Sequence, residues 1–292
     1  MRRSTAVRLW GLLFLFFAMA SANSVRAEMT FTVWGGETVD DQRDEYPRDL
    51  IHLALEATKE DYGDYKLSVT PVGENSARSL ANATSNNYDN YFTRQSVTTD
   101  RIKNLGYVAF PVDRGIVGYR VAFVSDEIKK HLRSVNTIDE LKKLSIVQGI
   151  GWLDSKILRM NGFTVKTGSS YTGLFHMVAN NRADMFFRGT NELIDEWKSH
   201  KNINGLTYDE EIAVYYPLPR FFFTAKKNTI AIERIREGLL RIYSDGSLFE
   251  LWETHYRTSL DFVKLDNRRI FYLESPLIDE LDPSYKQYIF KP

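Results

Sequence analysis

Between Asn90 and Arg120 the chain reads NYFTRQSVTTDRIKNLGYVAFPVDRGIVGYR, which sets Arg94, Arg101, Arg114 and Arg120 beside turn residues bordering an apolar, strand-like run. Guanidinium groups next to hydroxyls and the free N–H groups of a helix start suit an anion. This stretch is therefore expected to line one side of a cleft that clamps a small anionic solute. Ser96, Thr98 and Arg101 stand together where a helix would begin, and Arg120 follows the next turn. Elsewhere, Trp34 and Glu37 come just after an alternating apolar segment, where an indole can stack on a solute. In GIGWLDSK, Gly149 and Gly151 let backbone approach a ligand and Trp152 can close over it. In FRGTNE, Arg188 ends a strand and Glu192 opens a helix. Each candidate also fits a structural role. The tryptophans suit core edges, Ser96 or Thr98 a helix cap, and Arg101 a solvated first turn. Arg120 suits a salt bridge, and Glu192 the N-terminal end of a helix dipole.

Other chemistries find less support. With no cysteine, the sequence excludes a disulfide framework, a thiolate nucleophile and a thiolate metal site. His52, His131, His176, His200 and His255 are isolated, with no H-E-x-x-H spacing, and His176 is expected in the core of an apolar helix. No G-x-S-x-G elbow, Walker A or G-x-G-x-x-G motif occurs. Adjacent acids such as Asp40 and Asp41 suit solvated turns better than a glycosidase pair. No catalytic residue, metal ligand or cofactor is expected. A content of 43% hydrophobic and 26% charged residues describes an ordered globular chain, and a formal charge of zero implies neither a nucleic-acid footprint nor a membrane-surface patch.

Arg2, Arg3 and Arg8 precede an apolar run from Leu9 to Met19 and small residues ending at Ala22 or Ala27, the layout of a secretory signal. The run is about half of the roughly 20 apolar residues that span a bilayer. Removing residues 1–27 takes four of the 38 cations and none of the 38 carboxylates, leaving a mildly acidic chain of net charge −4, expected in the periplasm.

Beyond residue 28, MTFTV alternates as a strand, YPRDLIHLALEAT carries an apolar helical face with Pro47 in its first turn, and YKLSVTPV is a second strand. A β-α-β start predicts a parallel sheet with helices on its faces. GYRVAFV, TIDELKKL, SIVQGIGW, SKILRMN, FTVKTG, TGLFHMVANNR, ADMFFRG and NELIDEWKSH continue the alternation into a second lobe, with Asp154 expected to cap the helix after Trp152. YYPLPR reads as a stiff crossover, FFFTA as a strand, and TIAIERIREGLLRIYSDG as a helix stopped by Gly246. The tail from Leu260 to Pro292, rich in Tyr, Phe and Leu, is expected to pack on the fold.

From residue 29 to about 257 the chain resembles the type II periplasmic solute-binding proteins, family 3, as a divergent member. SVTTDRIKNLGYVAFPV, SVNTIDELKKLSIVQGIGW, GLFHMVANNRADMFF and AIERIREGLLRIYSDGSLFELWETHY carry the resemblance in order. WGGETVDDQRDEYPRDL departs from that family's aromatic-Pro-Pro-Phe turn and Gly-Phe-x-x-Asp opening. The resemblance implies two α/β lobes joined by two crossover segments around a central ligand cleft, with lobe 1 spanning 28–116 and 219–292 and lobe 2 spanning 117–218. It implies that Ser96, Thr98 and Arg101 clamp a solute carboxylate and that Glu192 meets a solute amino group. A monomer that captures a small polar, carboxylate-bearing, amino-acid-like solute by hinge closure for an ABC-type permease, or that serves as a sensor ectodomain, follows from the same likeness. A dehydratase-like enzyme with Glu192 or Glu37 as acid or base, and an accessory protein that has lost its solute, are the rival readings.

Overall fold

In the computed structural model, residues 28–36 and 45–292 are described. The leader and Glu37 lie outside them. The alternating opening segment becomes β1 (Met29–Val33), followed by α1 (Glu45–Glu56), α2 (Lys59–Tyr62) and β2 (Tyr65–Val69). Next come α3 (Ser76–Ser85), capped by the Asn75 side chain, β3 (Tyr91–Ser96), α4 (Thr99–Asn104) and β4 (Gly106–Val108). The chain then crosses into β5 (Tyr119–Val124), α5 (Asp126–Leu132) and α6 (Ile138–Leu141), whose start carries the Thr137–Glu140 capping box. β6 (Ile146–Gly149), α7 (Leu153–Met160), β7 (Val165–Gly168), α8 (Tyr171–Ala179), β8 (Met185–Gly189) and α9 (Leu193–His200) follow. β9 (Thr207–Tyr208) and β10 (Ile212–Tyr215) lead back to β11 (Arg220–Thr224), α10 (Thr229–Asp245), α11 (Ser247–Val263) and β12 (Arg269–Tyr272).

These strands form two sheets. The first has the order β2-β1-β3-β11-β4, with β1 parallel to β2 and β3 while the returning β11 runs antiparallel between β3 and β4. The second has the order β12-β10-β5-β8-β6-β7, with β9 on β5. Each sheet defines a lobe. In the first, Phe31, Leu50, Ile51, Ala54, Ile235 and Leu239 build a core between β1, α1 and α10. Gly238 allows this approach, because a Cβ there would lie 2.1 Å from the carbonyl oxygen of Ala54. The second sheet buries both faces, with Phe187 and Ile157 on one side and Phe123, Phe175 and Phe186 on the other.

Two expectations are corrected. The tail does not belong wholly with the first lobe, since β12 pairs in parallel with β10, Ile212 opposite Arg269. The buried Arg268 holds the start of β12 there: its guanidinium donates to the carbonyls of Val263, Asp209 and Ile212 and lies 3.6 Å from the Asp209 carboxylate. His176 is exposed, because it faces outward from α8 while Leu174, Phe175 and Val178 take the core face. Beyond β12 the tail is packed, as its aromatic content suggests. Tyr285 is buried beside Phe221, and the Phe290 N–H donates to the Arg114 carbonyl.

Candidate functional site

The site is built where the two crossovers pass between the sheets. β3 ends at Ser96 directly opposite Arg220, the first residue of β11, and Val97 N–H donates to the Pro219 carbonyl. Thr98 caps α4 by accepting from the Arg101 N–H at 3.3 Å. The Arg101 guanidinium turns back to donate to the Ser96 carbonyl, so Ser96, Thr98 and Arg101 form one unit on the first lobe. Burial pulls the Arg101 guanidinium below its ordinary pKa, and among the described residues it has no ion-pair partner.

Arg120, Arg188 and Glu192 meet on the other side, together with residues that sequence reasoning did not single out. A row of charges runs across the line between lobes. Arg94 on β3 and Arg220 on β11 lie 3.6 and 3.8 Å from the fully buried Asp113. Arg220 reaches across to Glu192 at 3.9 Å, and Glu192 also meets Arg188 at 3.1 Å and Arg120 at 3.8 Å. Arg120 pairs with Asp154 at 2.8 Å, and Arg188 grips Glu196 through Nε at 2.8 Å and Nη2 at 2.5 Å. Four arginines thus face four carboxylates in a largely dry setting, where burial without pairing would be prohibitive. Burial pushes the Glu192 carboxyl upward, but Arg188, Arg220 and Arg120 outweigh it and hold the group well below the usual carboxylate range. Glu196 goes the other way: its burial raises the carboxyl, and Arg188 only partly offsets that.

Asp154 does not cap its helix. α7 begins at Leu153 with Trp152 in the cap position, and Asp154 instead accepts from the Tyr216 hydroxyl at 2.5 Å while holding Arg120. The spacing of Glu192 and Glu196, one helical turn apart just past Arg188, is the sequence signal that could have revealed three of the eight members of this cluster. Asp113 and Arg220 carry no such local signal.

The aromatic candidates separate. Trp34 is buried against Ala83 and Tyr91 on the first lobe, its indole N–H donating to the Glu74 carbonyl at 3.0 Å. With Arg48 and Arg94 it borders a space of only about 10 Å3, room for about one water and far below the usual 300–1,000 Å3 of a small-molecule pocket. Trp152 sits on the second lobe over the Arg188 guanidinium, 4.9 Å from its ring centre. Gly149 makes room for it, since a Cβ would lie 2.4 Å from the indole. Arg114 points away, over Phe249 and Trp252, and anchors the tail by donating to the Tyr288 carbonyl.

No protein-family model matches the chain, and no curated protein matches it in sequence. Solved structures do match in shape. A Bacillus subtilis protein superposes with a TM-score of 0.56 at 16% identity, covering 85% of this chain and 96% of its own. An ancestral arginine-binding protein bound to arginine gives 0.53 at 16% identity, covering 80% and 99%. A periplasmic His/Glu/Gln/Arg/opine family-binding protein from Silicibacter pomeroyi, in complex with lysine, gives 0.54 at 13% identity, covering 78% and 96%. The two sheets, the crossover strands between them and these superpositions establish that the chain has the type II periplasmic binding-protein fold.

Proposed function

We propose that this protein is an exported solute-binding protein that captures a small polar, carboxylate-bearing solute between its lobes and delivers it to an ABC-type permease or a sensor. The observation that carries this reading is Arg101. It is a half-buried guanidinium in the first turn of α4, just past the end of β3, donating to the Ser96 carbonyl next to the Thr98 cap, with no ion pair among the described residues. A carboxylate placed there accepts charge-assisted hydrogen bonds and relieves the desolvation of that guanidinium. The likeness of fold to amino-acid-binding proteins supports the same reading. Closure follows from differential contacts. A solute held by Arg101 touches the second lobe, near Trp152 and the helix start at Leu153, only when the lobes are shut, so binding shifts the population to that state.

The test is a thermal-shift screen of the chain lacking residues 1–27 against organic acids, amino acids, short peptides and sugars. A ligand at 100 times its Kd stabilises by about 2.7 kcal/mol, a rise of roughly 5–10 °C for a chain of this size. A carboxylate hit that disappears in Arg101→Ala supports the reading. A hit restricted to sugars, or one unmoved by that substitution, overturns it.

A further inference from the structure

Arg188 occupies what would otherwise be a site for a cation. Its guanidinium carbon lies 4.9 Å from the ring centre of Trp152, 5.3 Å from Phe186 and 5.7 Å from Tyr171. Its edge is held by both oxygens of Glu196, at 2.8 and 2.9 Å from Nε, and by Glu192 at 3.1 Å. Tyr171 completes the enclosure by donating its hydroxyl to Glu196 at 2.5 Å, and the Arg188 side chain within keeps only 6% of its surface in solvent. Three aromatic walls and two carboxylates make up a receptor for a guanidinium or ammonium group. Here the chain supplies the cation itself. Glu192 is further engaged by Arg120 and Arg220, and Asp154 by Arg120, so the second lobe offers a solute no uncommitted carboxylate from this cluster.

We propose that Arg188 is the built-in occupant of the second lobe's cation subsite, so that the solute completing closure is an anion that brings no ammonium or guanidinium group to that lobe. This rests on the solute-binding reading for its ligand class, while the occupancy of the cage stands independently of it.

Two measurements separate the parts. In the first, Arg188→Ala is titrated with methylguanidinium and followed by tryptophan fluorescence and melting temperature. A saturable response in the variant that is absent from the unaltered protein supports the internal-occupant assignment. No response in a folded variant, or an equal response in both, overturns it. Should Arg188→Ala not fold, the unaltered protein is read by 15N NMR, with the Arg188 Nε–H assigned by its loss in Arg188→Lys. An upfield shifted, slowly exchanging proton supports the cage, and a solvent-like one overturns it. The second measurement is calorimetry with solute pairs differing only in an α-amino group, such as glutarate and glutamate or propionate and alanine. The amino member is expected to bind weaker by roughly 30-fold or more, the factor set by an unpaired buried charge. Equal or tighter binding of the amino member overturns the anion-only specificity while keeping the solute-binding function. Failure of every carboxylate, with the methylguanidinium response intact, refutes the solute-binding reading and upholds the occupied cage.

Discussion

The contact between Arg220 on the first lobe and Glu192 on the second is the cross-lobe link whose energy can be worked out and measured. At 3.9 Å the pair attracts by about 4 kcal/mol at an effective dielectric constant of 20. That figure is an upper bound. The Arg220 side chain keeps 18% of its surface in solvent, and Glu192 shares its charge with Arg188 at 3.1 Å and Arg120 at 3.8 Å, so removing one partner leaves the carboxylate paired. A coupling of about 1–2 kcal/mol is expected, inside the range observed for residues in one ionic network. The perturbations are Arg220→Met, Glu192→Gln and the pair together, each unfolded in urea in the absence of solute and read by both fluorescence and circular dichroism, so that separate melting of the lobes is seen if it occurs. Glu192→Gln alone is expected to cost about 3–5 kcal/mol, because it strands buried arginines rather than removing a surface pair. Additivity of the two single substitutions to within about 0.5 kcal/mol would refute the reasoning, since it would mean that the lobes do not share this charge row in solution.

Three further outcomes are expected. Arg101→Ala should leave the ligand-free melting temperature within about 3 °C of the parent, since only a single hydrogen bond to the Ser96 carbonyl is lost, yet weaken binding of a carboxylate solute by roughly 10-fold or more by calorimetry. The pH dependence follows from Glu192, whose folded carboxyl lies well below its unfolded pKa of about 4.3. Its stabilisation is fully present above that value and is lost as pH falls toward the folded pKa, so melting curves of the parent and Glu192→Gln should converge between about pH 5 and pH 2, and parallel curves would count against the assignment. Gly238→Ala, which in an ordinary helix interior would add up to about 1 kcal/mol of stability, should instead destabilise by roughly 2 kcal/mol or more in urea unfolding, because the new methyl meets the Ala54 carbonyl at the α1–α10 crossing.

Local chemistry made much of the fold legible. Alternation marked β1, the Thr137–Glu140 spacing marked a capping box, and Gly246, at φ 92°, stops α10 where the apolar periodicity ends. Each of these signals lies within a few residues of what it specifies. The parts that stayed hidden are those in which distant segments decide the outcome. Asp154 stands where a cap residue could stand, and only the return of Arg120 and Tyr216 to its side diverts it into the charge row. Likewise the tail is apolar enough to be called packed, but its division between lobes depends on Arg268 finding Asp209 and the carbonyls behind β10. Arg101 and Arg188 look alike in sequence, each at a strand-to-helix junction. Their difference lies in their neighbours, one guanidinium donating to a single carbonyl, the other enclosed by rings and carboxylates.

The placement of β11 has a consequence for the order in which the chain can acquire its structure. The first sheet cannot be completed until β11 has been made, and β11 follows every strand of the second lobe except β12. Joining β3 to β11 as free coil would carry the loop-closure entropy of that entire intervening segment. Pairing of Tyr119 at the start of the second lobe with Tyr215 near its end, their rings 4.5 Å apart, removes most of that separation once it has formed. Chain leaving Tyr215 is thereby delivered beside the chain that left β3, and the short run through Pro219 sets Arg220 opposite Ser96. The topology therefore predicts that folding of the inserted lobe gates the lobe that begins the chain, so that substitutions slowing β5–β10 pairing delay both in stopped-flow refolding, and an unchanged rate for the first lobe would count against it.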